Sequence, residues 1–417
     1  MTPAPHQLRL LGCLALAAAG LAPAAPRELI DRELTRTPVD LLGWTGDAIA
    51  YLDGLGQVRR DPASRFVAIL PGGADPADGW QRPTEDELAG GTPVVIELVD
   101  GQRLLGSLGP WNSASINAPA SAEDTLSVLT AFGAEALSLE KVARIAIDPW
   151  ASGASRLAPW EEASDDELVL LNGDRVRGFL VAIDESVVFD AGAGEQPFPL
   201  NRVAEIRLGN QAVPPEGPRI WWADGTIRAA TAGGDSLDGS VRLVDPAGGA
   251  VVLTVDELRA AWLDEDRLIP LAALEIAGQS PLAGRRWSRP AALGSEVDAP
   301  LGTPHIELDG PVRVRWELPA AASRFGAIAR LGGVLDDPMK PAGRWADAEV
   351  RVAVVRNGVE TELLRVPLTR SAPSAPLASP LPGLGEHGRE LVIEVLEARH
   401  GPIQDRVLLD RPMLLGM

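Results

Sequence analysis

Residues Glu167–Leu208 decide the fold, and they read ELVLLNGDRVRGFLVAIDESVVFDAGAGEQPFPLNRVAEIRL. Short apolar runs alternate with turn residues. A strand over Leu168–Leu171 meets Asn172-Gly173, and a second over Arg175–Ile183 turns at Asp184-Glu185 into a third over Val187–Asp190. A Gly/Ala turn then leads to Phe198-Pro199-Leu200 and a last strand, Val203–Leu208. Asn-Gly between apolar runs is a strong hairpin signal, because the tight turn demands positive φ at its central positions.

The same pattern recurs on both sides. In Pro93–Ile147, Asp100-Gly101 replaces Asn172-Gly173, and Gly106 follows Gly101 at the distance that separates Gly178 from Gly173. The ending Leu139–Ile145 answers Leu200–Ile206. A third copy starts at Arg219, turns at Asp224-Gly225 and closes near Val255–Trp262, and a fainter one spans Pro38–Leu70. Repetition at roughly 50–70 residues implies units that bury little apolar surface alone and gain by packing on neighbours. On the turn, the glycine and the closing apolar triplet, the unit resembles small five-stranded barrels of the SH3/Sm-like type. In those a bent second strand containing glycine closes the barrel, and Gly178 and Gly106 take that place. The basic loop of RNA-binding Sm-like proteins is missing here.

The chain has 417 residues, room for several domains, and an apolar fraction of 46%, ordinary for a folded protein. Its net charge is −20, from 38 basic against 58 acidic side chains. That balance opposes nucleic acid and anionic lipid as partners and reads first as solubility. At the N-terminus Arg9, the apolar run Leu10–Leu21 and Ala22-Pro23-Ala24 follow the order of a secretory signal. Export to the periplasm or the outside is therefore expected. Leu10-Leu11-Gly12-Cys13 resembles a lipoprotein box, yet the apolar run follows the cysteine where it should precede it. Cys13 is the only cysteine, so the processed chain would carry no disulfide. No later segment reaches the roughly 18 apolar residues of a spanning helix.

The expected organisation is all-β: a signal peptide over 1–24, an N-terminal β region over 25–88, barrels over 89–150, 163–212 and 217–275, a linker over 276–300, and a β-sandwich over 301–417. Within the first region Pro26–Arg36 reads as a short helix or arm. Trp111, Trp150 and Trp160 each follow a proline. Two readings compete for them, sugar-stacking platforms and wedges that fill junctions between units. In Trp221-Trp222, strand alternation sends the two indoles to opposite faces, so at least one belongs to a core.

The last part alternates cleanly. Val312, Val314, Trp316 and Leu318 share one face, and Arg313, Arg315 and Glu317 the other, which makes Trp316 a core residue. Further strands are read at Arg324–Leu331, Glu349–Val355, Thr361–Pro367, Glu390–Leu396 and Val407–Met413, with Ser371–Gly383 as a Pro/Ser-rich loop. The order Arg324–Leu331, loop Gly333–Trp345, strand, Asn357-Gly358 turn and the ending Asp405–Asp410 resembles the NPCBM family, a novel putative carbohydrate-binding module. The resemblance implies a galactose-binding-like jelly roll and a glycan or polysaccharide as ligand. Leu408-Leu409 stands where the family often has a tryptophan.

For catalysis the sequence offers no motif. His305, His387 and His400 lack metal spacing, and no H-E-x-x-H, G-x-S-x-G, P-loop or dinucleotide fingerprint stands in context. No cofactor and no enzyme activity are expected. Acidic groups such as Asp165-Asp166 and Asp264-Glu265-Asp266 read as solvated turns. Asp336-Asp337 supplies fewer oxygens than a calcium site takes. The candidate ligand-binding set is Trp345, Asp336, Asp337, Arg344 and Asp347: an indole to stack on a sugar ring and acids to accept from its hydroxyls. Trp345 as a packing cap is the competing reading, and His387 and His400 are secondary candidates. Three functions stay open: a glycan-binding protein, a scaffold binding other envelope proteins, and a glycosidase, which would need two facing carboxylates.

Overall fold

The structure, a computed structural model, describes residues 26–72, 82–109, 125–152, 165–184, 186–215, 217–234, 239–263, 268–294, 299–332, 346–400 and 405–416. The signal-like segment 1–24 therefore lies outside the described residues. Regular structure among them is strand, except for short 3-10 turns and one helical turn, Glu85–Leu88, capped by Thr84.

Four antiparallel units follow one another. Unit 1 is β1 (Pro26–Asp31), β2 (Arg36–Trp44), β3 (Ala48–Leu52), β4 (Val58–Pro62) and β5 (Phe66–Pro71). Unit 2 is β6 (Thr92–Leu98), β7 (Arg103–Leu108), β8 (Thr125–Thr130), β9 (Gly133–Ser138) and β10 (Val142–Ile147). Unit 3 is β11 (Asp166–Leu170), β12 (Arg175–Ile183), β13 (Ser186–Asp190), β14 (Glu195–Pro199) and β15 (Val203–Arg207). Unit 4 is β16 (Arg219–Trp222), β17 (Ile227–Ala229), β18 (Thr231–Gly233), β19 (Ser240–Val244), β20 (Ala250–Thr254) and β21 (Leu258–Trp262). In each unit the last strand pairs with the first, as in Leu29↔Ile69, Ile96↔Ile145, Leu168↔Ile206 and Ile220↔Ala261. Pro26–Asp31, expected as a helix or arm, is thus a strand: Leu29 and Ile30 are buried on its two faces.

The first turn of every unit is closed the same way. Gly101 N–H donates to Leu98 O, Gly173 to Leu170 O, Gly225 to Trp222 O, and Leu34 to Asp31 O. Glycine fills the position in three units because φ is positive there: 79°, 87° and 101°. In unit 1 Leu34 adopts φ 58° instead. The bend glycines are required by contact. A Cβ at Gly178 would sit 2.0 Å from Asp190 O, and one at Gly106 would sit 2.2 Å from Leu129 O. The bend lets β12 pair with β11 at Gly178 and with β13 from Phe179 onward.

Closing strands also join the units in nested pairs. β5 meets β21 at Ile69↔Ala261, and β10 meets β15 at Ile145↔Ile206. Units 1 and 4 share one apolar core, and units 2 and 3 another. Buried arginines clamp both pairs. Arg27 of unit 1 donates to Leu258 O of unit 4 (2.8 Å), and Arg144 of unit 2 bridges Glu205 of unit 3 (2.8 Å) and Glu97 (3.6 Å). β7 and β17 connect the two pairs at Ile227↔Arg103.

The sandwich has β22 (Leu268–Pro270), β23 (Ile276–Pro281), β24 (Ala292–Leu293), β25 (Ile306–Asp309), β26 (Val312–Leu318), β27 (Ala322–Leu331), β28 (Ala348–Arg356), β29 (Val359–Leu368), β30 (Ser374–Pro380), β31 (Arg389–Glu397) and β32 (Arg406–Gly416). One sheet runs β24-β25-β32-β27-β30 with β22 beside β32, and the other runs β23-β26-β31-β28-β29. Trp316, Phe325, Val350 and Val352 lie in the core between them, as the alternation requires. Three expectations change. Residues 268–270, placed in the last barrel over 217–275, pair with β32 of the sandwich. Residues 276–281, placed in a linker, form an edge strand on β26, because Ile276 packs on the sandwich core. Ser374–Pro380, placed in a loop, is an edge strand on β27, where Pro376 and Pro380 leave no inner donor missing.

The sandwich rests on unit 1. Leu34 packs so closely on β27 that a Cβ at Gly326 would lie 2.7 Å from its own Cβ. Met413 and Leu415 of β32 join Ile30, Leu70, Trp221 and Trp262 in one buried cluster. Both faces of the Trp221-Trp222 pair are therefore covered, Trp222 by the unit 1 and unit 4 core and Trp221 by this junction. Trp150 packs beside Val95, Leu105 and Ala146, all of unit 2, so it covers its own unit, while Trp111 and Trp160 lie outside the described residues.

Candidate functional site

One end of the sandwich gathers four connections: Gly310-Pro311 between β25 and β26, the connection from β27 to β28 at its described ends 332 and 346–347, 369–373 between β29 and β30, and the connection from β31 to β32 at its described ends 398–400 and 405. Asp336, Asp337, Arg344 and Trp345, in the second of these, lie outside the described residues. Asp347 is described. It enters β28 in the polar phase, yet neighbouring connections cover it and leave it buried.

Asp347 is held by His400. Its Oδ2 lies 2.8 Å from His400 Nδ1, and its Oδ1 accepts the His400 backbone N–H at 3.2 Å. The pair borders a cleft of ≈ 650 Å³, whose other polar walls are Thr369, Arg370, Ser371 and Arg399. Mutual backbone hydrogen bonds between Thr369 and Ala372 (3.0 and 3.1 Å) hold that wall, and Thr369 Oγ1 lies 3.1 Å from Ser371 Oγ. Hydroxyls, two guanidinium groups and a carboxylate-bound imidazole around one concavity suit hydrogen bonding to a polyhydroxylated ligand.

Asp405 lies behind this end. It is only 2% exposed, and neither carboxylate oxygen has a hydrogen-bond partner. Burial, seconded by the charge of Asp347, pushes its pKa up to about 7. Asp410, the other aspartate of the NPCBM-like ending, serves elsewhere. At the junction with unit 1 it faces Arg330 (2.9 Å), His305 (3.0 Å) and Arg36 (3.7 Å). Burial alone would raise its pKa, but the His305 hydrogen bond and the Arg411 and Arg36 charges hold it far below the carboxylate range.

Of the expected set, then, the structure places Asp347 in a cleft and pairs it with His400, a secondary candidate. Thr369, Arg370, Ser371 and Arg399 were missed, since nothing local marks residues that converge only through strand pairing. Elsewhere, Asp166 is no solvated turn: its carboxylate accepts Leu180 and Gly209 N–H groups at 2.9 Å each. Among the described residues no group of three or more His, Cys, Asp or Glu is placed to hold a metal ion. No described helix is long and apolar enough to cross a membrane.

No family model matches the chain, and no curated protein matches it. Similar solved structures include CBM51-2 with INT domains of Clostridium perfringens ZmpB in complex with GlcNAc, at 12% identity and TM-score 0.25, over 44% of this chain and 39% of that one. CBM51 from Clostridium perfringens GH95 in complex with methyl-galactose is similar at 14% identity and TM-score 0.24, over 36% of this chain and 99% of that one. A mutant of the family 29 carbohydrate-binding module CBM29-2 follows at 10% identity and TM-score 0.20, over 36% of this chain and 92% of that one. Likenesses of this size say nothing of ligand or partner.

Proposed function

We propose that the protein is an exported, non-catalytic carbohydrate-binding protein and that the sandwich cleft beside Asp347 and His400 is its glycan site. The observation that carries this reading is the Asp347–His400 pair in a polar-walled cleft of ≈ 650 Å³. Ala346, the residue that follows Trp345 in the sequence, lines that wall. The NPCBM-like order of strands agrees with it, and the preceding units are read as SH3/Sm-like barrels that carry the sandwich. Because Met413 and Leu415 of β32 and the Asp410 cluster tie the sandwich to the units, the full chain is the reagent for the test. Titration against a panel of plant and algal polysaccharides is expected to show weak binding, reduced by His400→Ala and by Trp345→Ala. If the wild-type chain binds none of them, the reading fails.

A second reading, a scaffold for other envelope proteins, is favoured by one surface. On β12 of unit 3 the side chains of Phe179 (68% exposed) and Val181 stand uncovered beside Arg175 and Arg177. Soluble domains place large apolar side chains side by side in this way where they meet partners.

A further inference from the structure

A second concavity lies where units 2 and 4 approach the sandwich, with a volume of ≈ 540 Å³. Leu98 from the first turn of unit 2, Trp221 and Trp262 of unit 4, and Leu268 and Leu301 at the entry to the sandwich line it. Val213, on the segment between units 3 and 4, stands at its rim and is 47% exposed. Volume and lining match the apolar pockets that take small organic molecules at domain junctions. The segment bearing Val213 is fixed, since Val213 N–H donates to Val99 O at 2.9 Å.

The charges on the lining are matched among themselves. Arg103 meets Glu97 at 2.9 Å. Arg219 Nη2 lies 3.4 Å from Asp100 Oδ2, and its Nη1 donates to Asp100 O at 2.6 Å. A carboxylate entering here would meet Glu97 and Asp100 without gaining a new cation. Arg219 Nε has no hydrogen-bond partner but is too deeply buried for a molecule in the cavity to reach, so Arg219 offers an incoming group no free donor.

We propose that this junction cavity binds a neutral, predominantly apolar molecule, of the kind represented by a medium-chain alcohol. Its hydrocarbon part would fill the space between Trp221, Trp262 and Leu301, and its polar end would stay at the rim beside Val213. Occupancy would tie units 2 and 4 to the sandwich through one ligand. The site is separate from the sandwich-end cleft, so the two readings stand or fall independently.

The test uses the full chain and the neutral fluorophore N-phenyl-1-naphthylamine, with 1-decanol and decanoate as competitors. Probe emission should rise on binding, and decanol should displace it at concentrations about tenfold lower than decanoate, a difference of one decade in Kd. Val213→Trp, a rim substitution outside the core, should weaken probe binding about tenfold while the melting midpoint stays unchanged. Absence of an emission rise overturns the proposal, as does equal displacement by the two competitors. Probe binding by Val213→Trp at wild-type strength also overturns it, since it would place the probe elsewhere, such as on the Phe179 surface.

Discussion

Units 1 and 3 share a topology and close their first turns with the same hydrogen bond, yet opposite causes hold those turns. In unit 3, Gly173 takes φ 87° and no atom stands within 4 Å of where its Cβ would be. Local backbone chemistry suffices there. In unit 1, Leu34 takes φ 58°, a conformation that disfavours a branched side chain, and is buried to 4% exposure against Gly326 of the sandwich. Burying a leucine is worth roughly 1.5–3 kcal/mol, enough to offset an αL cost of about 1–2 kcal/mol. The same turn is thus a surface hairpin in one unit and an interdomain plug in the other.

The largest expected effect lies at the plug's side of the molecule. Asp410→Ala leaves Arg36, Arg330 and His305 without their shared carboxylate in a buried junction. A loss of about 3–5 kcal/mol is expected, the scale for one partner removed from a buried ion cluster. Calorimetry should show unit 1 and the sandwich losing stability together. Two separate transitions, one of them unchanged, would mean that the cluster does not join them.

On the free side, Gly178→Val drives a Cβ to 2.0 Å from Asp190 O and should cost about 3 kcal/mol, through strain and lost pairing of β12. Its effect is expected to stay within units 2 and 3, which hydrogen exchange would resolve. Protection lost equally across the sandwich would break the contrast between the two regions.

Asp405 gives a pH-dependent comparison away from the junction. Between an unfolded value near 4 and a folded value of about 7, the folded chain keeps a proton that the unfolded chain has released. Stability should therefore fall as pH rises across that window and level off above it. Asp405→Asn should raise the melting midpoint at pH 8, by about 1–3 kcal/mol in stability, and change little at pH 4. An equal gain at both values would show that the carboxyl is not the proton carrier.

The smallest effect tests the plug itself. Leu34→Gly should cost about 1–2 kcal/mol, because lost packing exceeds relieved strain. Gly326→Ala should be destabilising in the wild type, where its new methyl meets Leu34, and close to neutral beside Leu34→Gly. A double-mutant cycle measures that coupling, expected at about 0.5–2 kcal/mol. Additive effects would leave Leu34 as a strained turn with no interdomain role.

Much was legible before any coordinates. The hairpin signals Asp100-Gly101, Asn172-Gly173 and Asp224-Gly225, the bend glycines and the alternation through Trp316 each state a local backbone or pleat requirement. Each appears in the structure, but with one change: only Gly101, Gly173 and Gly225 take positive φ, one position beyond the central pair of the turns their N–H groups close, and Asp100, Asn172 and Asp224 do not. The copy in unit 1 was faint because Leu34 replaces the glycine that would have announced it. The strands at 276–281 and 374–380 were hidden because prolines and glycines read as loop, whereas edge strands tolerate them. At the candidate site, Asp347 was legible from its place after an aromatic, acidic loop. Its partner and the cleft walls come from connections brought together only by sheet order.

By itself, then, the sequence determined the all-β class, the repeated unit, its turns and the two faces of each strand, since these depend on neighbours one to a few residues apart. Tertiary structure alone decided the nested pairing of units 1 with 4 and 2 with 3, and the burial of both Trp221 and Trp222. It also decided that Asp410 would bind a junction while Asp347 lines a cleft. The physical reason is that period and propensity say which face of a strand is apolar, but not what covers it. That choice rests on contacts between residues hundreds of positions apart, such as Arg36 with Asp410, whose free energy exists only once the chain has folded.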